Sequence, residues 1–282
     1  MQIYIKIILI LLVIIIIFSF LNFYISIHPP KFKTNLAPTA YSLDYEEITL
    51  KTTDGLKLKG WFIPNKTDKA IIITHGYPFD KNNILGGTHF LAKKYNLLLF
   101  DFRYFGESEG KYTTVGYHET KDFLAAVQYL KDKNFTRIGA IGFSLGAATS
   151  LMANSPDVKA IVADSSYATI DKMIERSYFI FPGILKLPFV WLTKLYSYIL
   201  LGISTNEISP LKQVPNIKSP ILFIHGEKDT QIPVENTKLL YEASNKNKTI
   251  LWLIPNVDHG AAHFYNPEEY EKKVIDFFED NL

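Results

Sequence analysis

Strict alternation of apolar and polar residues opens the regular part of the chain. In "ITLKT" (48–52) and "LKLKGWFI" (56–63) it flanks the turn signal Thr53-Asp54-Gly55, which predicts a half-exposed antiparallel hairpin. Past Lys69 the alternation stops. "AIIIT" (70–74), "LLLF" (97–100), "RIGAIGF" (137–143), "VKAIVA" (158–163), "PILFIHG" (220–226) and "TILWLI" (249–254) are continuous apolar runs, the signature of strands buried on both faces. Helical spacing fills the intervals. It is weak in "ILGGTHFLAKKY", where two glycines adjoin, and strong in "HETKDFLAAVQYLKDK", which sets Phe123, Leu124, Val127 and Leu130 on one face. "VENTKLLYEAS" and "NPEEYEKKVIDFFEDN" follow the later strands, the last with Pro267 near its start and Glu268 and Glu269 in its first turn, as the helix dipole favours. Alternating strand and helix predicts a doubly wound α/β domain over residues 46–282, its mostly parallel sheet fronted by the antiparallel hairpin.

Two stretches break this pattern. From Ile7 to Ile27 there is no charge, and most residues are Ile, Leu, Val or Phe; as a helix the segment spans roughly 30 Å, the hydrocarbon thickness of a bilayer. A cleavable signal would have a shorter apolar run and a small-residue cleavage site, whereas the exit here reads "SFLNFYISIHPP", bulky throughout. Residues 1–28 therefore read as an uncleaved single-pass membrane anchor, and 29–45, with three prolines, as a short extended tether. Lys6 stands on one side of the span and Lys31 and Lys33 on the other, so the flanking charges set no orientation; the extracytoplasmic side is favoured for the domain. The second break separates Ala163 from Pro220. It contains "MIERSYFIFPGILKLPFVWLTKLYSYILLG", dense in aromatic and large aliphatic residues, and reads as a helical cap at about 165–212 inserted over the carboxyl edge of the sheet.

Composition narrows the partners. A net charge of +2 argues against a nucleic-acid surface. With no cysteine there is neither a disulfide framework nor a thiolate metal site.

The chemistry gathers around "AIGFSLGAATS". Gly142-Phe143-Ser144-Leu145-Gly146 is a G-x-S-x-G pattern between a strand and the helical "LGAATSLMAN", where a sharp turn holds the serine strained and exposed. Side chains at 142 and 146 would collide with the adjoining strand and helix. A serine hydroxyl is a poor nucleophile at neutral pH and needs a base, itself oriented by an acid. His259, in the loop between the last strand and last helix, is the candidate base, with His263 the runner-up. The pair has i, i+4 metal-ligand spacing, but it lacks the glutamate of H-E-x-x-H, and Gly260 disfavours a helix, so no metal is expected. His28, His89 and His118 carry no supporting context. Asp229, after the strand "PILFIHG", is the leading acid; Asp164 also ends a strand, and Glu227 and Asp258 compete. For the oxyanion, Leu145 N–H is one donor. The other comes from "HGYPFDKN", where Pro78 has no N–H and Tyr77 is left as the donor; the His75 side chain need only serve the turn.

The order Ser144…Asp229…His259, with His75-Gly76 after an early strand, resembles the α/β-hydrolase superfamily over roughly residues 46–282. "DFRYFGESEG" is similar to that superfamily's D-x-R-G-x-G-x-S segment, with Tyr104 where glycine is commoner, and "SPLKQVPNIKSPILFIHGEKDTQIP" matches its acid-bearing segment. Within the superfamily the chain looks most like small capped hydrolases with an amino-terminal membrane anchor, among them esterases, lipases and serine peptidases. The resemblance and the spacing imply acyl transfer to water through an acyl-enzyme, with no cofactor; the aromatic cap near a membrane anchor points to an ester of a fairly apolar, lipid-like acyl group as substrate. A serine peptidase or amidase would share the triad but need carboxylates in the cap to hold a peptide amine, and Asp171, Glu175 and Glu207 are the few available. A non-catalytic, membrane-tethered binding protein is the alternative outside enzymes.

Overall fold

The computed structural model describes residues 1–32 and 36–282. Lys33 and the adjoining part of the tether lie outside the described residues. Helix α1 (Gln2–Ile27) is apolar on every side and stops one residue before Pro29-Pro30, since the residue ahead of a proline is pushed out of helical conformation.

Eight strands follow: β1 (Glu46–Lys51), β2 (Lys57–Ile63), β3 (Lys69–Thr74), β4 (Asn96–Phe100), β5 (Arg137–Phe143), β6 (Val158–Asp164), β7 (Ile221–Gly226) and β8 (Thr249–Ile254). They form one sheet in the order β1-β2-β4-β3-β5-β6-β7-β8. β1 with β2 and β2 with β4 are antiparallel, and every later pair is parallel. The helices are α2 (Lys81–Leu85), α3 (Glu119–Asp132), α4 (Leu145–Ala153), α5 (Ile170–Ser177), α6 (Leu187–Leu201), α7 (Pro210–Gln213), α8 (Glu235–Ala243), α9 (Ala262–Tyr265) and α10 (Pro267–Asn281). Apolar layers cover the sheet on both faces. One joins Phe123, Ala147 and Leu151 to Ile72, Leu98 and Ile161; the other joins Tyr270, Val274 and Phe278 to Ile71, Leu97 and Val162. This is the fold expected from the alternation of strand and helix.

Four local expectations need correction. "ILGGTHFLAKKY" is no continuous helix: α2 ends at Leu85, and only a 3-10 turn (His89–Lys93) forms beyond Gly86-Gly87, whose backbone entropy opposes a helix interior. Leu124 does not share the face of Phe123, Val127 and Leu130; it lies about 100° round α3 from Phe123 and is exposed. β8 is not covered on both faces: it is one of the sheet's two edge strands, where the covering layers run out, and Ile250 is exposed there. The tether is not fully extended either: Pro38–Tyr41 form a 3-10 turn, and Tyr41, Leu43 and Tyr45 pack on the core.

The loop after β4 is pinned by buried charge. The Asp101 carboxylate takes the backbone N–H and Nζ of Lys81 (2.7 and 2.8 Å), and Arg103 bonds both Asp122 and Asp54. Tyr104, at the glycine-preferring position, does sit in the left-handed region, at φ 74°. Its hydroxyl donates to Pro29 O at 2.8 Å and its ring lies under Lys31 Nζ at 4.7 Å. The strained tyrosine thus fastens the chain leaving α1 to the domain, which a glycine could not do.

Helices α5, α6 and α7 and intervening turns come between β6 and β7, and Ile170, Met173 and Ile174 of α5 with Thr193, Ser197 and Leu201 of α6 line a cavity together with Ser144 and His259. Tyr178, Phe189 and Val190 form a small core of their own, against which Ile15 of α1 packs. Among the described residues two stretches are long and apolar enough to cross a membrane, Gln2–Ile27 and Gly183–Leu201. The second is α6 with the turn before it, packed alongside the first through Phe18 on Phe189 (5.6 Å) and Phe20 on Tyr196 (5.5 Å).

Candidate active site

Ser144 stands at the junction of β5 and α4 with φ 53° and ψ −112°, a conformation that costs an L-residue of order 1–3 kcal/mol. Its N–H donates to Asp164 O at 2.8 Å, tying the turn to the end of β6. The glycines on either side exist for space. A Cβ on Gly142 would overlap the backbone of Gly146 and Ala147, and one on Gly146 would overlap the Thr74 carbonyl at the end of β3. Neither backbone can yield without moving Ser144 or the loop after β3. Gly146→Ala is therefore expected to cost about 1–3 kcal/mol of stability. A displacement of about 1 Å at the reacting atoms also costs roughly 100-fold in rate. Thermal midpoint and turnover measured on the same preparation check both.

Asp229 follows β7 and His259 follows β8, so both meet Ser144 at the carboxyl edge of the sheet. His259 Nε2 is 3.2 Å from Ser144 Oγ, and His259 Nδ1 is 2.6 Å from Asp229 Oδ2. The second carboxylate oxygen, Oδ1, accepts the N–H groups of Gln231 and Ile232 at 2.9 and 2.7 Å. Burial pushes this carboxyl up, but hydrogen bonds from His225 and His259 and the backbone donors outweigh it and hold Asp229 well below the usual carboxylate range. The three side chains form one hydrogen-bonded chain, and Phe143, its ring 4.8 Å from that of His259, packs against the imidazole.

Of the competing acids, Glu227 is exposed, and Asp164 and Asp258 are engaged elsewhere. Asp164 accepts from Ser165 Oγ (2.8 Å) and Tyr270 OH (2.9 Å), and burial pushes it up from the ordinary value. Asp258 is exposed yet more than solvated. Its Oδ1 takes the N–H of Thr230 (2.8 Å) and of His259 (2.7 Å), clamping together the loops that carry Asp229 and His259. His263 turns to Glu271 at 3.2 Å and stacks on Phe90, away from Ser144. His28 and His89 stack on Tyr24 and Tyr41, and His118 lies edge-on to Tyr117.

Tyr77 and Leu145 both line the cavity above Ser144, and among the described residues neither backbone N–H has a protein acceptor. His75 positions the loop that carries Tyr77 without lining the cavity itself. Its Nε2 accepts the Phe102 N–H at 3.0 Å, which requires the hydrogen on Nδ1, and Nδ1 donates to Gly76 O at 2.9 Å. Burial keeps that ring below the ordinary histidine range, in the neutral form these bonds need.

Two contributions escaped sequence reasoning. His225, at the end of β7, is wholly buried, with Nε2 2.8 Å from Ile232 O and 3.1 Å from Asp229 Oδ2 and Nδ1 2.6 Å from Thr237 Oγ1. It braces the acid at Oδ2, the same carboxylate oxygen that His259 meets. Its position four residues ahead of Asp229 in "HGEKD" was the available signal. The other is α1 itself: Asn22, Phe23, Ser26 and Ile27 line the cavity of about 290 Å³ that Ser144 and His259 open into. Polar Ser19, Asn22 and Ser26, spaced i, i+3 and i+7 in an otherwise apolar run, marked that face.

Residues 108–282 match the prolyl oligopeptidase family. The uncharacterized protein YqkD of Bacillus subtilis is 34% identical over 240 residues, 81% of this chain and 77% of that protein. The α/β hydrolase domain-containing protein WAV2 of Arabidopsis thaliana is 28% identical over 86% of this chain and 82% of its own. Among solved structures, the Pyrococcus furiosus esterase Pf2001 is 33% identical and superimposes with a TM-score of 0.76, covering 91% of this chain and 98% of that one.

Proposed function

The chain belongs to the prolyl oligopeptidase family of α/β hydrolases, and we propose that it is a serine hydrolase that cleaves a carboxylic ester or thioester of a fairly apolar acyl group. In this reading Ser144 Oγ attacks the acyl carbonyl while His259 Nε2 takes its proton. Asp229 holds Nδ1–H and stabilises the imidazolium that results. The N–H groups of Tyr77 and Leu145 receive the carbonyl oxygen as it gains negative charge. The tetrahedral adduct collapses as His259 returns the proton to the leaving oxygen or sulfur. Water, deprotonated by the same histidine, then releases the acid and frees Ser144.

One observation carries the choice of acyl class: apart from His259, no ionisable acid or basic side chain lines the cavity among the described residues, only apolar and hydroxyl- or amide-bearing groups and Tyr77 and Tyr167. Burial pushes the Tyr77 phenol up to about 12, so it too is neutral. A peptide amine would find no counter-charge. Asp171 is paired with Lys194 at 2.8 Å, Glu207 closes a capping box with Ser204, and Glu175 lines a separate surface depression. The family's name keeps an amidase as the second reading, since the proposed triad serves both reactions. A panel of p-nitrophenyl esters of increasing acyl length, run beside peptidyl amides, distinguishes them. Turnover is expected to favour esters and to rise with acyl length; a preference for the amides, or for charged acyl groups, contradicts the ester reading.

We read α1 as an uncleaved anchor. Removing it as a signal would strip one wall from the cavity and break the bond from Thr113 N–H to Ile27 O (3.0 Å).

A further inference from the structure

We propose that the cap enters the bilayer beside α1, so that the active-site cavity is walled at a depth where lipid acyl chains lie; the proposal rests on α1 being the membrane anchor. The reason is one of length. A hydrocarbon layer of about 30 Å takes about 20 helical residues. Counted from Gln2 it reaches about Leu21, and counted from Ile7, past the charge of Lys6, about Ser26. The part of α1 free of the cap is shorter. Packing against the cap begins at Ile15, and Tyr196 OH already donates to Ile16 O at 3.1 Å. Up to Ile14 the helix extends about 20 Å counted from Gln2 and about 12 Å counted from Ile7, short of the layer either way. A span through α1 therefore carries the cap side chains held on Phe18 and Phe20, namely Phe181, Phe189 and Tyr196, into the hydrocarbon with it. Tilting the helix lengthens the stretch that must be buried and strengthens the conclusion.

The cap's outward side suits that position. Leu187, Trp191, Tyr198 and Ile199 on α6 are 53%, 62%, 65% and 64% exposed, as are Phe179 and Ile184 just before it at 78% and 76%. Soluble proteins seldom leave so many large apolar side chains together in water. The two charges on the stretch that carries this face are accommodated: Lys194 is paired with Asp171, and Lys186, at the start of α6, has the reach to snorkel. The same seam walls the cavity, with Asn22, Phe23 and Ser26 from α1 and Thr193 and Ser197 from α6. An acyl chain passing along it reaches Ser144 without crossing water.

The sequence has no cysteine, so single spin labels test depth directly on the full chain in phosphatidylcholine–phosphatidylglycerol vesicles. Val13→Cys reports α1, Trp191→Cys and Tyr198→Cys the outer face of the cap, and Lys238→Cys on α8 the aqueous side. Collisions with oxygen are expected to exceed those with a nickel chelate at 13, 191 and 198, and the ratio to reverse at 238. Lipid-like values at 13 with water-like values at 191 and 198 overturn the immersed cap and leave the anchor standing. Water-like values at 13, or loss of that label by cleavage, overturn both. Neither result depends on Ser144, so the hydrolase reading is judged separately.

Discussion

Asp229→Asn is expected to lower ester turnover by about four orders of magnitude while the protein still folds. Asp229 Oδ2 lies 2.6 Å from His259 Nδ1 and so requires the hydrogen on that nitrogen, leaving Nε2 free to take the Ser144 proton. An amide in its place keeps its oxygen for the N–H groups of Gln231 and Ile232 and turns its NH2 to the histidine. His259 must then accept at Nδ1 and carry its hydrogen on Nε2, facing Ser144 with nothing to accept a proton. The same NH2 opposes the Nε2–H of His225, so a stability loss of about 1–3 kcal/mol accompanies the change. That loss depends on pH in a defined direction. Asp229 is held below its unfolded value, so its stabilisation is complete above about pH 4 and fades as pH falls through the folded value. Wild type and variant should therefore converge in thermal midpoint in strong acid. Near-normal turnover by the variant would move the acid role to Asp164, against the bonds that carboxylate makes to Ser165 and Tyr270.

Ser144→Ala is expected to remove about six orders of magnitude of turnover, because in the proposed mechanism Ser144 acts as one unit with a base and an acid, and such a unit leaves little when one member goes. Ser144→Gly should lose as much activity and yet gain stability. At φ 53° and ψ −112° only glycine is unstrained, and the relief is of order 1–3 kcal/mol. An inactive protein more stable than the wild type is what a strained nucleophile implies. Unchanged stability in the glycine variant would mean that the turn is not strained by the serine.

Much of this was legible because the signals were local. Continuous apolar runs gave the parallel strands nearly to the residue, since burial on both faces leaves no polar register to confuse them. Ser144, Asp229 and His259 were traceable because each follows a strand whose end the topology brings to one edge. What was missed depends on contacts between distant segments. Nothing in "TILWLI" reveals that β8 has no neighbour beyond it. Leu124 has the same chemistry as its buried neighbours and differs only in angle. Tyr104 looked like an imperfect motif until its hydroxyl was seen on Pro29 O. The residues of α1 that line the cavity were hidden by the composition that made α1 easy to find. An all-apolar helix has no amphipathic face, and only Ser19, Asn22 and Ser26 marked the side that packs.

The most direct measurement of the proposed chemistry is labelling of the full-length, folded protein by an alkyl fluorophosphonate, with the adduct located by peptide mass spectrometry. A single adduct at Ser144, absent from Ser144→Ala and much slower to form in Asp229→Asn, is the expected result. Failure of the folded wild type to label, or labelling that persists in Ser144→Ala, contradicts it.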